Sequence, residues 1–223
     1  MLICESYLLV YLEKWKHRKS IAFGHDGTTC LAGAGIMDLF LRGKLILEGK
    51  RLEVINTNPT GLEFLDEILT MIKDSKKVRK LKRWIILISN YRNIKCDSLV
   101  FKSLENQGIL QCEQRVTARI FYKWRYNIIR PEVIQSLLQR IQNAFIDNID
   151  PDIEFLCLLK LIQISRLFKV CISKEYRSIA KHRLEHLLRF GNYDPSHLEM
   201  IKSIKKAIND ALTDAGIELA IPY

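Results

Sequence analysis

The sequence predicts a mainly α, single-domain helical bundle that carries two β-hairpins. Three observations lead there. Apolar residues recur three and four positions apart over most of the 223 residues. Two stretches switch to alternation, each directly after a helical segment that ends in glycine. No Gly/Ser/Pro-rich linker separates these two helix-plus-wing units, so residues 1–223 read as one domain.

Leu2, Leu8, Leu9, Leu12 and Trp15 mark a first helix. Leu31 to Leu41 marks a second, with "AGAG" at its start, where Gly33 and Gly35 permit close packing. Arg42-Gly43 ends it, with glycine as the stop. "KLILEGKRLEVIN" alternates around Gly49-Lys50 and reads as a hairpin. In "PTGLEFLDEIL" Thr60 is the expected N-cap, with Glu63 completing a capping box. "CDSLVFKSLENQGIL" is a helix stopped at Gly108, and "QCEQRVTARIFYKWRYNIIRP" is a second hairpin. Pro131 opens a helix whose apolar set is Val133, Ile134, Leu137, Leu138, Ile141 and Phe145. Residues 153–170 are apolar on nearly every side, interrupted by Lys160 and Arg166, and read as the central core helix. Helices over 174–190 and 196–215 complete the chain.

With 48% hydrophobic and 27% charged residues the chain is ordinary globular protein, which excludes a disordered tail protein. Its net charge of +10 points to an anionic partner. The excess is concentrated: Lys73 to Arg130 holds fifteen Lys/Arg against four Asp/Glu, while the flanks balance near zero. A solvated helix face usually mixes signs, so this concentration reads as a functional surface. The six cysteines form no C-x-x-C and sit among apolar neighbours, as small buried hydrophobes do in a reducing compartment. "MLICESYLLVYLEKWK" lacks the basic start of a signal peptide, and no run of 18 apolar residues is present, so any contact with a bilayer is expected to be peripheral.

Catalytic patterns are weak. "HRLEH" matches H-x-x-E-H, in which His182 and His186 share a helix face and Glu185 serves as base. A third ligand would have to come from His197, Glu199 or Glu218, and Lys181, Arg183 and Arg189 favour an ordinary charged face instead. Phosphate-loop, dinucleotide and nucleophile-elbow motifs are absent. Neither enzyme activity, a metal nor a cofactor is expected.

The basic signals are stronger. "KDSKKVRKLKRW" carries Lys76, Lys77, Arg79, Lys80, Lys82 and Arg83. "YRNIK" adds Arg92 and Lys95, one helical turn apart. "RIFYKWRYNIIR" adds Arg119, Lys123 and Arg125 among aromatics that include Trp124 and Tyr126. Cations among aromatics suit single-stranded nucleic acid, with residues 115–130 as a wing. They equally suit a lipid interface, where Trp124 and Tyr126 would enter the headgroup layer.

In order, "LFLRGKLIL", the short hairpin, "NPTG" with "FLDEIL", "LENQGIL" and "EYRSIAKHRLEHLL" resemble the Golgi phosphoprotein 3 family from about residue 2 to about 215. The resemblance implies a mainly α domain with projecting β-hairpins and no enzymatic activity. It also implies binding of phosphatidylinositol 4-phosphate in a basic pocket on a membrane, the cytosolic Golgi face in eukaryotic members. Of the pocket residues that the resemblance implies, Arg92 and Lys95 match in "RNIK". The family's Trp falls at about Gly24 and its first Arg at about Ala32. The chain begins at the first helix, and "LAGAGIMDLFLRG" resembles tail-less bacterial members. The expected function is therefore that of a cytoplasmic, peripherally membrane-associated adaptor that binds anionic phospholipid. Self-association is expected through the second hairpin, and nucleic acid is the alternative partner.

Overall fold

Ten α-helices and two antiparallel hairpins follow one another along the described residues, which in the computed structural model are 1–18, 20–90, 94–117, 121–146 and 150–216. The chain runs α1 (Ile3–Lys14), α2 (His25–Leu41), β1 (Leu45–Glu48), β2 (Arg51–Val54), α3 (Glu63–Lys73), α4 (Leu81–Ser89) and α5 (Cys96–Asn106). It continues through β3 (Leu110–Thr117), β4 (Phe121–Ile128), α6 (Pro131–Ile146), α7 (Ile153–Ile164), α8 (Phe168–Cys171), α9 (Arg177–Phe190) and α10 (Pro195–Asp214). Strand β1 pairs with β2 and β3 with β4, giving two separate two-stranded sheets.

The two helix-to-hairpin junctions share one local solution. After α2, Gly43 takes a left-handed φ of +63°, its N–H reaches Phe40 O at 2.9 Å, and Lys44 N–H reaches Leu39 O at 3.0 Å. After α5, Gly108 takes φ +67°, with Gly108 N–H to Glu105 O at 2.9 Å and Ile109 N–H to Leu104 O at 3.0 Å. Both are Schellman closures, in which glycine occupies a conformation that costs any Cβ-bearing residue about 1 kcal/mol or more. The helix-plus-wing repetition expected from the sequence is thus a repetition of backbone geometry.

Helix α2 lies in the middle of the bundle, packed against α1, α3, α4, α5, α7 and α10. Its "AGAG" segment is why neighbours approach so closely. A Cβ on Gly33 would come 2.7 Å from Ile208 Cδ1 of α10, and one on Gly35 would come 2.5 Å from Ile68 Cδ1 and 2.9 Å from Phe64 Cε1 of α3. One continuous core joins all these helices with α6, α9 and the base of the second hairpin.

Two sequence expectations are corrected. Residues 153–170 are not one helix. Helix α7 stops at Ile164 in another Schellman closure, Leu167 N–H to Ile162 O at 2.9 Å, with Arg166 at φ +58° where glycine is usual. The central position belongs to α2, although α7 is also buried on most sides. The second correction concerns α3, which starts at Glu63 rather than after Thr60. The anchoring carboxylate is Asp66: its Oδ1 accepts from Thr60 N–H at 2.6 Å and from Thr60 Oγ1 at 2.7 Å, and its Oδ2 accepts from Gly61 N–H at 3.1 Å. Glu63 points to another task, an ion pair with Lys102 of α5 at 2.7 Å. "PTG…LD" is therefore a structural knot.

Two buried polar groups hold the first helix. Asp38 of α2 accepts from Ile3 N–H at 3.0 Å and Cys4 N–H at 3.1 Å, while Glu5 accepts from Leu2 N–H at 2.8 Å. These carboxylates satisfy N–H groups that a helix start leaves without partners. Glu5 also accepts from Ser103 Oγ at 2.6 Å and Gln107 Nε2 at 2.7 Å, which ties α1 to α5.

Candidate functional site: a divided basic surface

The basic quarter of the chain is spread over three places. The first is residues 74–80 and the start of α4. Here Lys76, Lys77, Lys80 and Arg83 are exposed, and among the described residues no carboxylate lies within ion-pair distance of them. Two other members of the strip are engaged. Lys82 pairs with Asp214 of α10 at 2.7 Å. Arg79 is half-buried, hydrogen-bonded to Ser75 Oγ and to Lys77 O at 3.2 Å, with its Cζ 5.1 Å from the ring centroid of Trp84.

The fold adds two cations that the linear reading left out. Arg51 of β2 forms a backbone bridge with Lys80, and Leu81 N–H donates to Lys50 O at 2.8 Å. The exposed Lys50 and Arg51 at the turn of the first hairpin therefore join the strip. The dibasic pair in "EGKRLE" was visible, but its neighbourhood with Lys80 is a tertiary fact.

The second place is the segment after α4. Lys95 is exposed and precedes α5. Cys96 Sγ donates to Ile88 O at 2.9 Å, which fixes this point beside the C-terminal end of α4. Lys80 sits at the other end, so a helix of nine residues, about 13 Å long, separates Lys95 from the strip. Arg92 lies outside the described residues, as does the helical turn expected to align it with Lys95. Of the other two expected pocket positions, Gly24 is the exposed N-cap of α2 and Ala32 is 0% exposed inside that helix. Neither can present a side chain that holds a phosphate.

The third place is the outer face of the second hairpin. Lys123 and Arg125 point outward, opposite Arg115 and Glu113 in the register, and Glu113 pairs with Arg115 at 2.9 Å. Arg119 lies outside the described residues.

The aromatics are a correction. Trp124 is not an interface residue: it is 6% exposed, stacks on Phe101 at 4.4 Å, and donates its indole N–H to Asp97 Oδ2 at 2.7 Å. Its backbone pairs with Ile21 in both directions, at 2.8 and 2.7 Å. Tyr126 is half-buried, with its hydroxyl donating to Leu12 O at 3.2 Å; burial, and then the nearby Glu13 carboxylate, push that phenol up to about 12. Period-2 alternation assigns both residues to the inward face, which is what the register shows. Burial raises the Asp97 carboxyl above its ordinary value, and the Trp124 hydrogen bond works against that rise.

The "HRLEH" segment lies on α9. Its Glu185 accepts from Lys160 Nζ of α7 at 2.8 Å, and that lysine is 1% exposed. Among the described residues no group of three or more His, Cys, Asp or Glu is placed to hold a metal ion, and no helix is long and apolar enough to cross a membrane.

No curated relative matches the chain. The family model described as Golgi phosphoprotein 3 (GPP34) matches residues 4–215. With the helical bundle, the paired hairpins and a match over nearly its whole length, the chain belongs to the Golgi phosphoprotein 3 family.

Proposed function

We infer that the protein is a non-enzymatic, peripheral membrane adaptor that binds anionic phospholipid headgroups. The observation that carries this reading is the strip of exposed Lys76, Lys77, Lys80 and Arg83, joined by Lys50 and Arg51, none of them in an ion pair among the described residues. Near an anionic surface each such residue contributes on the order of 1 kcal/mol. Family membership supports phosphatidylinositol 4-phosphate as the lipid and a cytosolic membrane face, that of the Golgi in a eukaryote, as the location. Arg92 and Lys95 are the proposed headgroup contacts. Of the hairpin aromatics offered for base stacking, Trp124 is already stacked on Phe101, which weighs against the nucleic-acid reading.

The test compares two double variants on vesicles of matched total charge, with and without phosphatidylinositol 4-phosphate. Arg92→Ala with Lys95→Ala should weaken binding to the phosphoinositide vesicles by roughly 2–4 kcal/mol, as expected for two charge-assisted contacts. Lys76→Ala with Lys77→Ala should weaken binding to both vesicle types alike. Equal losses from both pairs on both vesicles would contradict the Arg92–Lys95 assignment.

A further inference from the structure

Helix α9 carries apolar residues on two sides. Ala180, Leu184, Leu187 and Leu188 are buried on the side that packs on α7 and α6. Ile179, His182, His186 and Phe190 are spaced three, four and four apart and run along another side. This stripe faces solvent: Ile179 is 55% exposed, Phe190 is 73% exposed, and both histidines are exposed. Tyr176, exposed three residues before Ile179, extends it. Seven large apolar side chains are exposed among the described residues, and three of them are Tyr176, Ile179 and Phe190. Scattered singly such residues need no account, but gathered along one helix they mark an interaction site. From Ile179 to Phe190 the stripe is about 16 Å long, three helical turns. The His186 and Phe190 rings lie 5.2 Å apart between centroids, so its C-terminal end is a continuous surface.

Charge decides what can cover it. Lys181 and Arg189 are exposed on the same helix, and Arg189 stands one turn from His186. The carboxylates nearby are committed. Glu185, the one carboxylate in α9, accepts from buried Lys160 at 2.8 Å. Asp150 pairs with Arg183 at 3.3 Å, and Asp194 accepts from Ser196 N–H at 2.7 Å at the start of α10. Lys174 and Glu175, ahead of the helix, offset each other. The outer side of α9 is therefore apolar and cationic. A second copy packed antiparallel on it would set Lys181 and Arg189 against their own kind, and like charges juxtaposed are costly. A bilayer on the basic strip does not reach it either. The strip leads into α4, α4 packs on α10, α10 on α7 and α7 on α9, so two helices stand between.

We propose that the outer face of α9 docks an acidic, amphipathic helix of a protein partner. The partner's apolar residues sit on Tyr176, Ile179 and Phe190, in the manner of a helix anchored at three- and four-residue spacing. Its carboxylates meet Lys181, Arg189 and the two imidazoles. The inference goes beyond the lipid reading, and the vesicle arm of the test keeps the two apart.

Two amphipathic model peptides of about five helical turns test it, with the same leucines and either glutamate or lysine on the polar face. Fluorescence anisotropy against the full chain should show the glutamate peptide bound at least about ten-fold more tightly. Phe190→Ser and Ile179→Ser should each weaken that binding about ten-fold, as loss of an anchor does. Lys181→Glu combined with Arg189→Glu should reverse the preference between the peptides. All these side chains are exposed, and thermal melts report folding. Pelleting of Phe190→Ser with vesicles of phosphatidylserine and phosphatidylcholine should match that of the unaltered chain. No binding of the glutamate peptide, equal binding of both peptides, or a preference that survives the charge reversal would overturn the proposal. Loss of vesicle pelleting in Phe190→Ser would overturn it in favour of the membrane. Self-association that Phe190→Ser abolishes in sedimentation velocity would overturn it in favour of a second copy. Failure of the peptides with vesicle pelleting intact leaves the membrane reading standing.

Discussion

The indole N–H of Trp124 meets Asp97 Oδ2 at 2.7 Å, and no hydrogen-bond donor meets Asp97 Oδ1 among the described residues. One side chain thus holds a buried carboxylate at the start of α5 and fixes the base of the second hairpin against Phe101. Trp124→Phe keeps the stacked ring and removes the donor. It should cost about 1–3 kcal/mol in urea denaturation, the penalty for a buried acceptor left short of a partner. Vesicle binding per folded molecule should stay unchanged. A variant of native stability with impaired vesicle binding would restore Trp124 to the membrane interface.

Lys160 and Glu185 make a second prediction. Lys160 sits in α7 with its ammonium hydrogen-bonded to Glu185 at 2.8 Å and Gln163 at 2.6 Å, and burial pulls its pKa below the ordinary lysine value. Glu185→Ala strands the buried charge and should cost roughly 2–4 kcal/mol, while Lys160→Met should stay within about 1 kcal/mol of native. Denaturation curves of the two variants would show the asymmetry. Equal losses would mean that the pair acts through packing alone.

A third prediction concerns pH. Burial raises the Asp38 carboxyl from 3.8 to about 6, against the lowering effect of the Ile3 and Cys4 N–H bonds. The folded state therefore holds a proton that the unfolded state has released between those two values. Asp38's contribution is greatest below pH 3.8 and declines as the pH rises through about 6, by at most roughly 3 kcal/mol. Asp38→Asn should flatten the stability profile across that window. An unchanged slope in the variant would place the titration elsewhere.

Gly35 gives a fourth. Alanine normally gains about 1 kcal/mol over glycine inside a helix. Here its Cβ would press on Ile68 and the Phe64 ring, and overpacking costs about 1–3 kcal/mol. Gly35→Ala should lower the melting temperature rather than raise it. A stabilised variant would show that α3 can move away from α2.

The fold was legible where local chemistry decides it. Gly43 and Gly108 stop their helices as expected, and both hairpins form where the sequence alternates. Long-range polar contacts were not legible. Asp66 displaced Glu63 as the α3 anchor because it reaches back to both Thr60 and Gly61. Asp38 caps a helix 35 residues away in sequence. Arg166 ends α7 in a conformation that composition does not advertise. In the candidate site, charge concentration identified the strip but could not show that Lys82 is taken by Asp214, or that Lys50 and Arg51 join from the first hairpin. The aromatic-basic pattern of "YKWRY" misled for Trp124, because a hairpin with one buried face produces the same spacing.

The central claim is that the exposed cations of the strip bring this protein to anionic membranes. Sedimentation of the full chain with anionic and with neutral vesicles, at low salt and at about 0.15 M salt, tests it most directly. Anionic vesicles should pellet the protein, neutral ones should not, and the added salt should reduce the bound fraction, with a short single-stranded oligonucleotide failing to compete. Equal recovery with neutral vesicles, or release of the protein by the oligonucleotide, would contradict it.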